Sequence, residues 1–334
     1  MNIVSITKKF GALSKCYHYL EKIRWGRKPV CPYCNSKRTV QLKKEPFRHH
    51  CYECHKSFSV TVGTIFEDSR LPLNKWFLVA GLMANAKQGI SAKEIQRNVG
   101  TTYKTAWYSA MRIRCCMIDY CNIELSNIVE MDEAYVGGKP RYRQNKCKIK
   151  DQTIAASGVE TTQPKRGRGT CKTPIVAIVE RRGKVVVKVV EKVNSTLFIS
   201  MLKQFVKTDE STLMTDDFKS YVKTEEIMEH FSVKHSMKEY VRGAVHTNTV
   251  EGFFSIVKNS IRGNHRKISK KYLPFYMVSS QYMYNNRKDN NLFEKLIKDA
   301  IKIDVSDYMQ DYKPVKPVKE LTYPTCKKKE TKKR

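Results

Sequence analysis

Two C-x2-C pairs, Cys31-Pro-Tyr-Cys34 and Cys51-Tyr-Glu-Cys54, stand sixteen residues apart and constrain the fold of this chain more tightly than any other feature. Cysteines three apart on a tight turn form a knuckle, and two knuckles bring four thiolates onto one tetrahedral zinc. The intervening T-V-Q-L and F-R-H-H-C read as hairpin strands, so residues 26–66 are expected to form a small zinc ribbon. Four thiolates leave no open coordination position, which makes this Zn²⁺ structural. His49, His50 and His55 are close in sequence, but a double C-x2-C needs none of them, and they are expected on the basic surface of the ribbon. The cysteine total is eleven, and an odd count argues against a disulfide framework.

The charge balance narrows the function class. The 334 residues carry 63 Lys+Arg against 32 Asp+Glu, a formal net charge of +31, which is typical of a polyanion binder. The length suits two or three domains, and a 41% hydrophobic content suits real cores. No run approaches the roughly 18 apolar residues that cross a bilayer, and Met1 to Phe10 lacks the order of a signal peptide. A soluble intracellular protein without a membrane partner is expected, cytoplasmic and nucleoid-associated, or nuclear in a eukaryote.

Residues 1–25 read as a lead-in with one short amphipathic helix. From Asn74, a possible cap, N-K-W-F-L-V-A-G-L-M-A-N-A is an amphipathic helix. Then G-I-S-A-K-E-I-Q-R-N-V-G, a break at Gly100-Thr101-Thr102, and Y-K-T-A-W-Y-S-A-M-R-I-R give helix, turn, helix, with capping-box spacing from Ser91 to Glu94. This is the outline of a helix-turn-helix over residues 72–121, whose second helix would present Tyr103, Lys104, Tyr108 and Arg112 to a DNA groove. Ala106, Trp107, Ala110 and Met111 would face the core, and Cys115, Cys116 and Cys121 read as small apolar residues.

Farther on, two strand-like runs each end in an acid: Asn127 to Asp132, followed by turn-forming E-A-Y-V-G-G, and Ser211 to Asp216. Acids at the carboxyl ends of neighbouring strands in an open α/β sheet converge on one crevice. His246 to Lys258 then reads as a helix with Asn248, Glu251, Ser255 and Lys258 on one stripe and Val250, Phe253, Phe254 and Val257 on the other side. Three carboxylates in one crevice would hold two divalent cations about 4 Å apart, the arrangement that activates a hydroxyl for in-line attack on a phosphodiester. Between these motifs, 174–180 and 184–190 make a hairpin, Asn194 to Lys207 a helix capped by Asn194 or Ser195, Phe218 to His230 a helix, and Ser232 to Met237 a last short strand.

The motifs D-E-A-Y-V-G-G-K from Asp132, T-D-D-F-K-S-Y from Thr215 and H-T-N-T-V-E-x-F-x-S-x-x-K from His246 resemble the DDE-type transposases of bacterial insertion sequences. More narrowly, the chain is similar to the zinc-ribbon-bearing ISXO2-like group related to the eukaryotic Merlin transposases, from about Gly26 to about Arg287. The motifs come in the family's order, with 84 residues from Asp132 to Asp216, 35 from there to Glu251 and 7 to Lys258. Periodicity alone says only α/β; the resemblance implies a ribonuclease-H-like catalytic domain over 127–290, preceded by the ribbon and the helix-turn-helix. It also implies two Mg²⁺ or Mn²⁺ held by Asp132, Asp216 and Glu251, a phosphate contact at Lys258, and Asn248 orienting water or scissile strand. Some members of the group carry Asn as the third catalytic letter, so Asn248 competes with Glu251 for that place. The preference for Asp132 over Glu133 and Asp216 over Asp217 follows motif position, since adjacent strand residues point oppositely.

On this reading the protein binds the terminal inverted repeats of its element, hydrolyses the end phosphodiester and joins the freed 3′ hydroxyl to target DNA, as a homo-oligomer on DNA. The alternatives are a catalytically inactive DNA-binding regulator derived from a transposase and a structure-selective nuclease. The insert at 137–172, with ten Lys or Arg and two acids, reads as a DNA-tracking loop. The C-terminal segment 291–334 is expected to hold one helix and then a disordered basic tail with nine Lys or Arg from Lys313 onward.

Overall fold

The two cysteine knuckles sit on a three-stranded antiparallel sheet of β1 (Thr39–Gln41), β2 (Arg48–Cys51) and β3 (Ser57–Ser59), in that order. Cys31, Cys51 and Phe58 form the small core of this ribbon, with Trp25 and Val62 against it. Arg24 fastens the ribbon's exit, its Nη1 donating to the carbonyls of Val60 and Val62 at 2.6 Å each. His49 departs from its expected surface position. It is buried, with Nε2 3.0 Å from Glu21 Oε1, stacked on Phe58 and edge-on to Trp25. On β2 it alternates with His50, and the inward face needed a flat ring with one polar end.

This computed structural model describes residues 1–118, 123–137, 170, 172–233 and 245–302. Most of the basic insert, Cys121 and the C-terminal tail lie outside them. The chain divides into two compact units, Met1–Asn122 with Val278–Arg334, and Ile123–Met277.

The first unit holds the ribbon and a helical core. Residues 1–25 are more than a lead-in: α1 (Ile3–Phe10), capped by Asn2, and α2 (Leu13–Trp25) bury Ile6, Phe10, Cys16 and Leu20 against α3 (Leu73–Asn85). Gly81 of α3 permits the approach of α1, because a Cβ there would lie 2.5 Å from Ile6 Cδ1. Asn74 is not the cap of α3, which begins one residue earlier; its amide instead donates to the Gly11 carbonyl at 3.1 Å. α4 (Ala92–Val99) starts at Ser91, whose Oγ accepts from Glu94 N, and stops at Gly100, whose left-handed φ of 64° turns the chain sharply. α5 (Tyr103–Cys116) follows after Thr102, whose hydroxyl accepts from Thr105 N. α9 (Leu292–Ala300) completes this core with Phe293, Leu296 and Ile297, ring against ring with Phe10 and Phe77.

The second unit is a mixed five-stranded sheet. β4 (Leu125–Val136) lies at its centre, antiparallel to β5 (Thr173–Glu180), which pairs with β6 (Val185–Val189). On the other side β4 runs parallel to β7 (Val206–Asp216), and β7 to β8 (Glu229–Val233), giving the order β6-β5-β4-β7-β8. β5 is buried on both faces, as its unbroken apolar run P-I-V-A-I-V requires. The hairpin matches the sequence expectation, while β8 begins three residues before the expected 232. The segment expected as a helix from Phe218 is a 3₁₀ helix, Lys219–Glu226. α6 (Ser195–Phe205) is capped by Asn194 and ends where β7 begins. α7 (Asn248–Ser260) contacts β4 and β5 and buries Val250, Phe253, Phe254 and Val257. A short π-helical turn, Ile261–His265, follows α7, and then α8 (Leu273–Asn285), whose residues from Val278 onward belong to the first unit. Among the described residues no helix is long and apolar enough to cross a membrane.

Candidate active site

Asp132 lies inside β4, not at its end, because Glu133 to Val136 continue pairing with β5. Glu130 of β4 is level with Met214 of the parallel β7, so two residues farther along each strand Asp132 comes alongside Asp216 on the same face. That face is the one α7 covers. The opposite face carries Glu133, which accepts a hydrogen bond of 3.0 Å from the hydroxyl of Tyr221, itself stacked on Phe198 of α6. Alternation along β4 thus separates the two neighbouring acids onto opposite faces, and Asp132 is the one that opens into a cleft.

The cleft measures about 410 Å³ and is lined by Asp132, Asp216, Thr247, Glu251, Phe254, Ser255, Lys258, Asn259 and Arg262. Strand neighbours supply two acids; one turn of α7 supplies the third, steadied by a 3.1 Å bond from Thr247 Oγ1 to Glu251 Oε1. Asp217 is exposed and does not line the cleft, and neither does Asn248. The stripe that faces the cleft is Glu251, Ser255, Lys258 and Arg262, one turn later than the stripe read from sequence. Arg262 was missed because the stripe was followed only as far as Lys258, the last residue of the motif read from sequence. It stands four residues after Lys258, so simple helical spacing already held the signal.

Electrostatically the cleft is under strain from like charges. Burial pushes the Asp132 carboxyl up to about 7, and the charges of Glu133, Asp216 and Glu251 act in the same direction, against the 2.7 Å bond that Asp132 Oδ1 accepts from Glu133 N. A carboxyl that holds on to a proton near neutrality beside other acids is short of positive charge, which divalent cations can supply. Asp132, Asp216 and Glu251 offer hard-oxygen donors to this cleft, although among the described residues the ribbon thiols alone are gathered within 4.8 Å of one another.

The thiol cluster of the ribbon fits a different metal. The sulfur atoms of Cys31, Cys34, Cys51 and Cys54 all lie within 4.8 Å of one another, with Cys31 to Cys54 at 3.6 Å and Cys34 to Cys51 at 3.5 Å. Soft sulfur donors in a closed set of four select zinc over magnesium.

Of the four residues expected to reach a DNA groove, Tyr103 and Lys104 are exposed at the start of α5 and Tyr108 is half-buried. Arg112 departs from the expectation. It is only 7% exposed, lies over the Tyr108 ring and donates through Nη1 to the Glu67 carbonyl at 2.7 Å. Packing of the ribbon exit against α5 claimed the guanidinium, a long-range event that helical periodicity does not report.

The sequence profile of the ISXO2-like transposase domain matches residues 124–285, and that of the transposase zinc-ribbon domain matches residues 14–57. The chain thus carries an ISXO2-like transposase domain and a transposase zinc-ribbon domain. The matched domain spans the five-stranded sheet, α7 and the whole cleft, and the matched ribbon ends just past its fourth cysteine. A protein in transposable element ISH50 of Halobacterium salinarum is 27% identical over 302 residues, covering 88% of this chain and 96% of that one. Among solved structures, the Mos1 strand transfer complex aligns over 63% of this chain and 73% of its own at 12% identity and a TM-score of 0.26. A pre-cleavage Mos1 transpososome aligns over 70% and 82%, again at 12% identity, with a TM-score of 0.24.

Proposed function

We propose that this ISXO2-like protein is an active DDE-type transposase, which cuts the ends of an insertion sequence and joins them to target DNA. The observation that carries the reading is the convergence of Asp132, Asp216 and Glu251 on one cleft whose remaining wall holds Lys258 and Arg262. Two Mg²⁺ or Mn²⁺ held by the three acids would activate the attacking oxygen and stabilise the leaving one. Lys258 and Arg262 would bind phosphates of the same strand, with the planar guanidinium suited to two-point contact and the ammonium to a single one. Thr247 holds Glu251 in place, and Glu133, turned away by its bond to Tyr221, contributes negative potential without lining the cleft.

Several features support this assignment. Strand, hairpin, helix, strand, 3₁₀ helix, short strand and then the helix with Glu251 is the order expected of a ribonuclease-H-like domain. The four thiols favour a structural Zn²⁺ in the ribbon. α4 and α5, joined through Gly100, support a helix-turn-helix in which Tyr103 and Lys104 meet double-stranded DNA, while Tyr108 sits deeper and Arg112 supports the fold. The net charge of +31 favours terminal repeat and target DNA as partners of a homo-oligomer.

One incubation tests the proposal: purified protein, a labelled element end, a supercoiled target plasmid and Mg²⁺. Joined products are expected. Cleavage without joining would make the protein a nuclease, and binding without cleavage would make it a DNA-binding regulator.

A further inference from the structure

We propose that Glu130 is a positioning residue, whose buried carboxylate fastens the first turn of α7 to β4 and so sets the placement of Glu251 relative to Asp132. The inference rests on the two-metal reading above and adds a residue that none of the three motifs contains.

Glu130 is fully buried, two residues before Asp132 and on the same face of β4. A lone carboxylate in such a place costs several kcal/mol unless it is fully bonded. Its Oε2 accepts from the backbone N–H groups of Thr249 at 2.7 Å and Val250 at 3.0 Å. Oε1 accepts from Thr249 Oγ1 at 2.8 Å and from Arg181 Nε at 2.6 Å, and His246 Nδ1 lies 3.4 Å away. Arg181 in turn donates through Nη2 to the His246 carbonyl at 2.9 Å, so the turn after β5 and the approach to α7 join the same knot.

These bonds replace something that α7 lacks. Thr247, at its N-cap position, makes no capping bond to the helix backbone, and its hydroxyl is turned to Glu251 instead. The free N–H groups of a helix's first turn need an acceptor and favour negative charge. A carboxylate reaching over from the neighbouring strand meets both needs. A local Ser or Asp cap would stabilise α7 equally well but would leave it unattached to the strand of Asp132. Glu130 therefore ties one acid's strand to another acid's helix within the same helical turn as Glu251.

Titration calorimetry with Mn²⁺ on the full chain, beside thermal melting by circular dichroism, separates positioning from mere stability. Glu130→Gln is expected to remain folded at 20 °C and to bind Mn²⁺ at the acidic cleft about tenfold or more weakly, as orienting partners of metal ligands do. Thr249→Val, which leaves the carboxylate and both backbone bonds in place, is expected to shift affinity in the same direction by a smaller factor. A purely structural Glu130 would lower the melting temperature of both variants and leave their Mn²⁺ affinity at 20 °C at the wild-type value, which overturns the proposal. Should Glu130→Gln fail to fold, Thr249→Val decides alone by the same criterion. Wild-type protein whose Mn²⁺ binding is indifferent to Asp132→Asn would sink the two-metal reading and this inference with it. Wild-type protein that binds through Asp132, beside unaffected Glu130 and Thr249 variants, sinks the positioning role only.

Discussion

Asp132 faces two opposed demands, since the enclosure that raises its carboxyl to about 7 also makes it reluctant to carry the charge a divalent cation needs. Below that pH a cation must displace a proton, so Mn²⁺ affinity should fall by up to about tenfold per unit from pH 7 downward and level off above pH 8. Stability follows the same carboxyl with the sign set by a raised value. The folded state prefers the protonated acid, so without divalent cations the contribution of Asp132 turns destabilising as pH rises from about 4 through about 7. Asp132→Asn should flatten that part of the melting-temperature profile and gain most at pH 8; an unchanged slope between pH 5 and pH 8 contradicts the raised carboxyl. The neighbouring pairs give a sharper contrast. Asp216→Ala and Glu251→Gln should lose strand cleavage by about several orders of magnitude with end binding intact. Asp217→Ala and Asn248→Ala, which alter residues outside the cleft wall, should cost far less in the same gel assay. A dead Asn248→Ala beside an active Glu251→Gln would reverse the assignment of the third acid.

Among the elements, the ribbon depends most on one chemical feature. Its own core is three buried side chains with a few neighbours, too small to hold three short strands without a metal. Cys31→Ser or Cys54→Ser should release one zinc per chain, read by atomic emission, and weaken binding to element ends; a wild-type chain without zinc would end the ribbon's metal reading. Elements of this kind were legible in the sequence because their information is local. The C-x2-C spacing, the apolar runs of β5 and β6, Ser91 and Asn194 as caps, and the motif around each of the three acids all lie within short windows. What escaped came from contacts distant in sequence. Glu130 and Thr249 meet across 119 positions, Arg112 meets Glu67 across 45, and His49 meets Glu21 across 28. α9 was legible as a helix, but its place beside Phe10 and Phe77 depends on residues some 200 or more positions away. The edges of β8 and the 3₁₀ helix escaped for another reason, since short elements carry too few residues for a period to show.

At the scale of the molecule the dominant quantity is the excess of 63 basic over 32 acidic residues, which makes any DNA affinity strongly dependent on salt. Each phosphate neutralised adds about 0.9 to the slope of log affinity against log salt on duplex DNA. That slope distinguishes residues that touch DNA from residues that hold the DNA-binding surface together. Lys104, exposed at the start of α5, should behave as a phosphate or groove contact: Lys104→Ala should lower affinity for element ends and reduce the slope by about one. Arg112 carries the same formal charge, but its guanidinium is spent on the Glu67 carbonyl and the Tyr108 ring. Arg112→Ala should leave the slope unchanged and lower the melting temperature, because it strips the partly buried Glu67 carbonyl of its donor and opens a void beside α5. Fluorescence anisotropy from 50 to 200 mM salt, paired with melting curves, reads both quantities on both variants. A slope reduced by about one in Arg112→Ala with unaltered melting would return that residue to the DNA surface and remove the assigned role of its bond to Glu67.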